Sequence, residues 1–125
     1  MTEAIARERR VLVVEDDPDV RSMISILLGL EGYDVSSAEN GQEALDLLHA
    51  GQRPQLILLD LMMPVMNGWQ FRAAQVRDPE LADIPAVVIS GGDRIAEHTR
   101  ALGATDYLRK PIDLDVLLAT VQRYL

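Results

Sequence analysis

Val11-Leu12-Val13-Val14-Glu15-Asp16-Asp17 is a short apolar run that breaks off into three acids. Four successive apolar side chains without polar alternation describe a strand buried on both faces, the pattern of a central strand in a parallel sheet. The same arrangement returns in Leu56-Ile57-Leu58-Leu59-Asp60 and, ending in a hydroxyl, in Ala86-Val87-Val88-Ile89-Ser90. Two further strand candidates, at residues 34–38 and 106–109, carry fewer apolar residues, as sheet edges do where one side meets solvent.

Helical spacing fills the gaps between these runs. Val20, Met23, Ile24, Leu27 and Leu28 make one apolar stripe, and Leu114, Leu117, Leu118, Val121 and Leu125 make another. Ala44, Leu45, Leu47 and Leu48 mark a shorter helix opening near Asn40, and Ile95, Thr99 and Leu102 mark one closed by Gly103. Residues 69–77 are patterned less cleanly: Gln75 falls where an apolar residue is expected, with Trp69 and Phe71 left to anchor the helix. Strict alternation of strand and helix implies a parallel sheet with right-handed crossovers and helices on both faces. The expected architecture is α/β, a flavodoxin-like (βα)5 doubly wound parallel sheet of strand order 2-1-3-4-5, with a crevice between the first and third strands. Asp16 and Asp60 belong to that crevice.

Length and composition narrow the functions. A chain of 125 residues with a net charge of -8 is the size of one domain and lacks the basic stripe that nucleic acid or an anionic membrane would require. Residues 1–10 have no apolar signal core, and no later stretch is apolar enough to span a bilayer. Without cysteine there is neither a disulfide nor a thiolate metal site, which fits a reducing cytoplasm. No composition shift suggests a second domain. The expected organisation is an extension at residues 1–9 and one domain at residues 10–125, and the bare last helix favours a stand-alone protein.

Chemistry concentrates at strand ends. Clustered carboxylates repel unless a positive charge sits among them, and a hard divalent cation such as Mg2+ takes oxygen ligands of this kind. Asp60 stands on a rigid support where a carboxylate can act as a nucleophile towards phosphorus. Ser90, followed by Gly91-Gly92, brings a hydroxyl close to the crevice. Lys110, the only lysine, ends the fifth strand, and Pro111 after it permits a cis bond. Asp17, before Pro18, reads as an ordinary helix N-cap.

At these positions the chain resembles the receiver domain of bacterial two-component response regulators. The residues carrying the resemblance are Val13-Val14-Glu15-Asp16-Asp17, Leu58-Leu59-Asp60, Met63-Pro64-Val65-Met66-Asn67-Gly68, Ile89-Ser90-Gly91 and Tyr107-Leu108-Arg109-Lys110-Pro111. It implies phosphorelay signalling in which Asp60 accepts a phosphoryl group from a sensor histidine kinase, a histidine phosphotransfer protein or an acyl phosphate. It further implies Mg2+ held by Asp16, Asp60 and the Met62 carbonyl, with Glu15 acting mainly through water, and a cis Lys110-Pro111 bond. Lys110 would neutralise phosphoryl oxygens, Ser90 would hydrogen-bond one of them, and Ser90 with Tyr107 would form the switch. Met62 and Gly92 match positions that adjust dephosphorylation. The downstream partner, or a second copy in a phosphorylation-dependent dimer, would meet the face of the fourth helix, fifth strand and fifth helix. Glu15 for the commoner aspartate, Ser90 for threonine and Asn67 for aspartate are departures that remove no required group. Two alternatives were weighed: a haloacid-dehalogenase-like phosphatase, whose second acid would have to stand where Met62 does, and a non-phosphorylated interaction module.

Overall fold

The computed structural model describes residues 9–125; the expected extension at residues 1–9 lies outside them except for Arg9. Five strands, β1 (Arg10–Val14), β2 (Asp34–Ala38), β3 (Leu56–Asp60), β4 (Ala86–Ser90) and β5 (Asp106–Arg109), form one parallel sheet in the order β2-β1-β3-β4-β5. Helices α1 (Pro18–Leu30), α2 (Gly41–His49), α3 (Gly68–Arg77), α4 (Ile95–Ala101) and α5 (Leu114–Tyr124) alternate with them. Each expected element is present. β3 and β4 run one residue further than their apolar cores, so that Asp60 and Ser90 are themselves the last strand residues and take the strands' rigidity.

Side chains alternate across a strand, and the core divides accordingly. Val11, Val13, Leu56, Leu58, Val87 and Ile89 face Ile24 and Leu28 of α1 and Leu117 and Val121 of α5. Leu12, Val14, Ile57, Leu59 and Ala86 face Ala44, Leu45 and Leu48 of α2 and Phe71 of α3. Each fully buried aliphatic side chain contributes roughly 1.5–3 kcal/mol, which is why the central strands are apolar on both faces. β2 and β5 are only partly covered, as edge strands should be.

Side chains of loop residues start four of the helices. Asp17 Oδ1 accepts from the amides of Asp19 and Val20, Asn40 caps α2, Asp113 caps α5, and Asn67 with Gln70 forms a reciprocal capping box on α3. α4 has no such side-chain cap.

Gln75 is fully buried, and its place in the core is explained by hydrogen bonds. Its amide donates to the carbonyls of Leu81 and Ile84, and its oxygen accepts from Arg72 at 2.8 Å. Arg72, also buried, donates onward to the carbonyls of Leu102 and Gly103 just beyond α4. Burial lowers the arginine's pKa.

The segment from β3 to α3 is tight. A methyl group on Gly68 would lie 2.5 Å from the Asp60 carbonyl oxygen and 2.8 Å from Leu61 Cα, both backbone atoms. Val65, with φ of 68°, is a β-branched residue in the left-handed region, inside a turn closed by the Met66 amide on the Pro64 carbonyl at 2.7 Å. Gly68→Ala is expected to cost about 1–3 kcal/mol through overpacking against fixed backbone. Val65→Asn should stabilise by about 1 kcal/mol, because asparagine tolerates positive φ. Urea unfolding would read both as midpoint shifts of opposite sign at unchanged slope.

Candidate functional site

The carboxyl ends of β1, β3, β4 and β5 open on one cleft of about 570 Å3, whose lining includes Glu15, Asp16, Asp60, Ser90 and Lys110. Of the site residues expected from the sequence, Glu15, Asp16, Asp60, Met62, Ser90 and Lys110 line this cleft, and Tyr107 does not. One carboxylate oxygen from each of Glu15, Asp16 and Asp60 lies within 4.8 Å of the others. Glu15 is 0 % exposed, Asp60 2 % and Ser90 8 %, whereas Asp16 is exposed. Asp17 caps α1, as expected, at the margin of the cleft.

Lys110 bridges the two buried acids. Its Nζ is 3.0 Å from Glu15 Oε1 and 3.5 Å from Asp60 Oδ2, and the Lys110-Pro111 peptide is cis. The contact with Glu15 is an ion pair by distance, but Oε1 has no aligned hydrogen-bond donor, while Oε2 accepts from the Asp17 amide at 3.1 Å. Asp60 Oδ1 accepts from the Met62 amide at 3.3 Å, and Ser90 Oγ accepts from the Gly92 amide at 3.1 Å.

The cluster is electrostatically costly. Burial, then the neighbouring Glu15 charge, push the Asp60 carboxyl from 3.8 up to about 7, although Lys110 draws it back. Burial works against the charge on Lys110, yet Glu15 and Asp60 outweigh it and leave its pKa raised. Three carboxylates against one ammonium leave two net negative charges, which one divalent cation would cancel. The carboxylate oxygens of Glu15, Asp16 and Asp60, close enough to share one ion, suit a hard cation. The residues present therefore fit Mg2+.

Several contacts around the cleft were not legible beforehand. Trp69, read only as an apolar anchor, meets His98 edge to face at 4.6 Å between ring centroids, and both line the cleft. Arg109 Nη1 donates to the Gly92 carbonyl at 3.2 Å, with its guanidinium 6.0 Å from the centroid of Tyr107, whose ring is outward and 37 % exposed. Arg21 reaches back from α1 to the carbonyls of Glu15 and Asp16. Met62 is 74 % exposed and brings no second acid.

A doubly wound sheet with three acids, a hydroxyl and a lysine at adjacent strand ends defines a class of small α/β domains with an acidic cleft at the carboxyl edge of the sheet. Comparison with known proteins narrows that class. Residues 11–122 match the family model described as the response regulator receiver domain, and the chain belongs to that family. The chain is 32% identical over 118 residues to Protein PilH of Pseudomonas aeruginosa, covering 93% of this chain and 97% of that protein. It is 41% identical over 118 residues to Response regulator MprA of Mycolicibacterium vanbaalenii, covering 93% of this chain and 50% of that protein; it thus spans about half the length of that relative. The solved chemotaxis response regulator CheY4 of Vibrio cholerae superposes with a TM-score of 0.87 at 33% identity, covering 95% of this chain and 100% of that one. The fold is therefore flavodoxin-like, and the chain carries a receiver domain of two-component response regulators. No helix among the described residues is long and apolar enough to cross a membrane.

The raised Asp60 pKa has a signed consequence for stability. An acid whose folded-state pKa exceeds its unfolded value favours folding fully only below the unfolded value, near 3.8 here, and that contribution is lost as pH rises through about 7. In chelator, wild-type stability should therefore fall between about pH 4 and pH 8. Asp60→Asn should flatten that fall and be more stable at the upper pH by on the order of 1–3 kcal/mol. Thermal midpoints across the pH range check it, and equal slopes for both proteins would contradict the assignment.

Proposed function

We propose that Asp60 is the phosphoacceptor of a phosphorelay, charged from a phosphohistidine of a sensor kinase or histidine phosphotransfer protein and switching the binding of a downstream partner. The observation that carries this reading is the buried Asp60 carboxylate, which shares the Lys110 ammonium with Glu15. An Asp60 oxygen attacks phosphorus and the phosphorus–nitrogen bond breaks with its electron pair going to the donor imidazole, which takes a proton. Asp60 is left as an acyl phosphate, and attack of water at phosphorus returns the carboxylate and inorganic phosphate. Acetyl phosphate would serve the same attack with acetate as leaving group, so the domain catalyses its own phosphorylation and dephosphorylation. Mg2+, held by Glu15, Asp16, Asp60 and the Met62 carbonyl with Glu15 acting mainly through water, would supply the charge that lets anionic oxygens approach one another.

Lys110 neutralises one phosphoryl oxygen, and Ser90 donates its hydroxyl to another. The Ser90 oxygen that now accepts from Gly92 would be drawn towards Asp60, and Tyr107 would turn inward into the space released. One charge-assisted hydrogen bond is worth roughly 1.5–3 kcal/mol, whereas moving an equilibrium from 1:99 to 99:1 takes about 5.5 kcal/mol. A partner on the face of α4, β5 and α5, or a second copy there in a phosphorylation-dependent dimer, completes the shift. The receiver occupies residues 10–125 behind an extension at residues 1–9 and works in the cytoplasm.

Acetyl phosphate or a cognate kinase with Mg2+ is expected to label Asp60 alone, as mapped by mass spectrometry. Stable labelling of Asp60→Asn to the wild-type level would sink the assignment. Mg2+ at a hundredfold excess over its Kd should stabilise the fold by about 2.7 kcal/mol. Asp16→Ala should abolish most of that gain, and an unchanged Mg2+ response in the variant would reject the ligand set.

A further inference from the structure

We propose that Arg21 is a positioning residue for the cation site, fixing the backbone from which Glu15 and Asp16 project. A single guanidinium nitrogen, Nη1, donates to the Glu15 carbonyl at 2.8 Å and lies 3.4 Å from the Asp16 carbonyl. These oxygens belong to consecutive peptide groups in the turn between β1 and α1. That turn is tied at one end by the Glu15 amide on the Ala38 carbonyl at 3.0 Å. At its other end Asp17 caps α1, and the Arg21 amide donates to the Asp17 carbonyl at 2.9 Å. The guanidinium secures the stretch between. Both acids inherit their direction from it, since a rotated peptide group at either position carries the adjoining side chain with it.

The bonds go to carbonyl oxygens and leave the carboxylates to other partners: the Asp17 amide and Lys110 for Glu15, and the cation for the oxygens facing the cleft. Arg21 is half-buried, so its hydrogen bonds are less exposed to competing water than those of a fully exposed arginine. As a positive charge near the acids, Arg21 also opposes a second cation by simple repulsion. Positioning and repulsion predict effects of opposite sign when the guanidinium is removed, and a measured Mg2+ affinity separates them.

This inference rests on the Mg2+ site proposed above, and the test distinguishes the two. Mg2+ is titrated calorimetrically into the full chain for wild type, Arg21→Met and Arg21→Lys, with thermal midpoints recorded in chelator. Loss of a group that orients metal ligands costs 10- to 100-fold in affinity, so Arg21→Met is expected to weaken Mg2+ binding about tenfold. Arg21→Lys, which keeps a donor able to reach carbonyls, should recover most of that loss. Equal or tighter binding by Arg21→Met overturns the positioning role. So does a weakening that lysine fails to recover and that is matched by a lowered midpoint in chelator, which marks general destabilisation. If Arg21→Met does not fold, Arg21→Gln takes its place, being uncharged and too short to span both carbonyls; the same loss is expected, and wild-type affinity overturns the role. Absence of Mg2+ binding by the wild type refutes the cation site itself.

Discussion

Mutual repulsion among carboxylates held at adjacent strand ends is the constraint around which this domain is built. At an effective dielectric of about 20, two unit charges about 4 Å apart repel by roughly 4 kcal/mol. Glu15 and Asp60 are withdrawn from water as well, so the penalty is not screened away. Stiff neighbours are what keep the acids from moving apart. β1 and β3 pair in register through Val14 and Leu59, and Asp60 is itself paired opposite Ile89 of β4. The apolar side chains on both faces of these strands do more than fill a core: they supply the stabilisation against which a concentrated negative charge is held. Lys110 relieves that charge in part, and the uncompensated remainder is what makes the cleft receptive to a cation.

Much of this was legible because it followed from simple periodicity. Uninterrupted apolar runs marked the three central strands, sparser runs marked both edges, and the runs of β1, β3, β4 and β5 led directly to Glu15, Asp60, Ser90 and Lys110 of the cleft. Strand order followed in part from the apolar runs being first, third and fourth and in part from the resemblance to receiver domains, and the grouping of Glu15, Asp16, Asp60, Ser90 and Lys110 followed from that order. The N-cap role of Asp17 was legible from Pro18 behind it. What escaped depended on long side chains whose reach is not encoded in spacing. Arg72 makes contacts 30 and 31 residues away with Leu102 and Gly103, and its partner Gln75 looked like a flaw in a helix because a satisfied buried amide and a misplaced one are identical in sequence. Arg21, Arg109 and the Trp69–His98 pair were invisible for the same reason: each is defined by where a flexible chain ends, not where it begins.

The β3–α3 segment shows local preference giving way to position. Valine is a poor choice for positive φ, and the chain nevertheless keeps it within a closed turn between Asp60 and α3. The adjoining glycine leaves the α3 backbone room to approach Asp60, and Asn67 with Gln70 then starts the helix at once. Strain and close approach are thus gathered into the few residues that carry the chain from the phosphoacceptor candidate to the next helix.

The two ends of α4 are fastened differently. At its carboxyl end Arg72 ties Leu102 and Gly103 to the buried Gln75, whereas its amino end has no side-chain cap and follows two exposed glycines. At that amino end the helix is anchored by Ile95, fully buried against Leu61 and Val88. The two ends of α4 are thus held by different chemistry, polar ties to carbonyl oxygens at one and a single buried apolar side chain, Ile95, at the other.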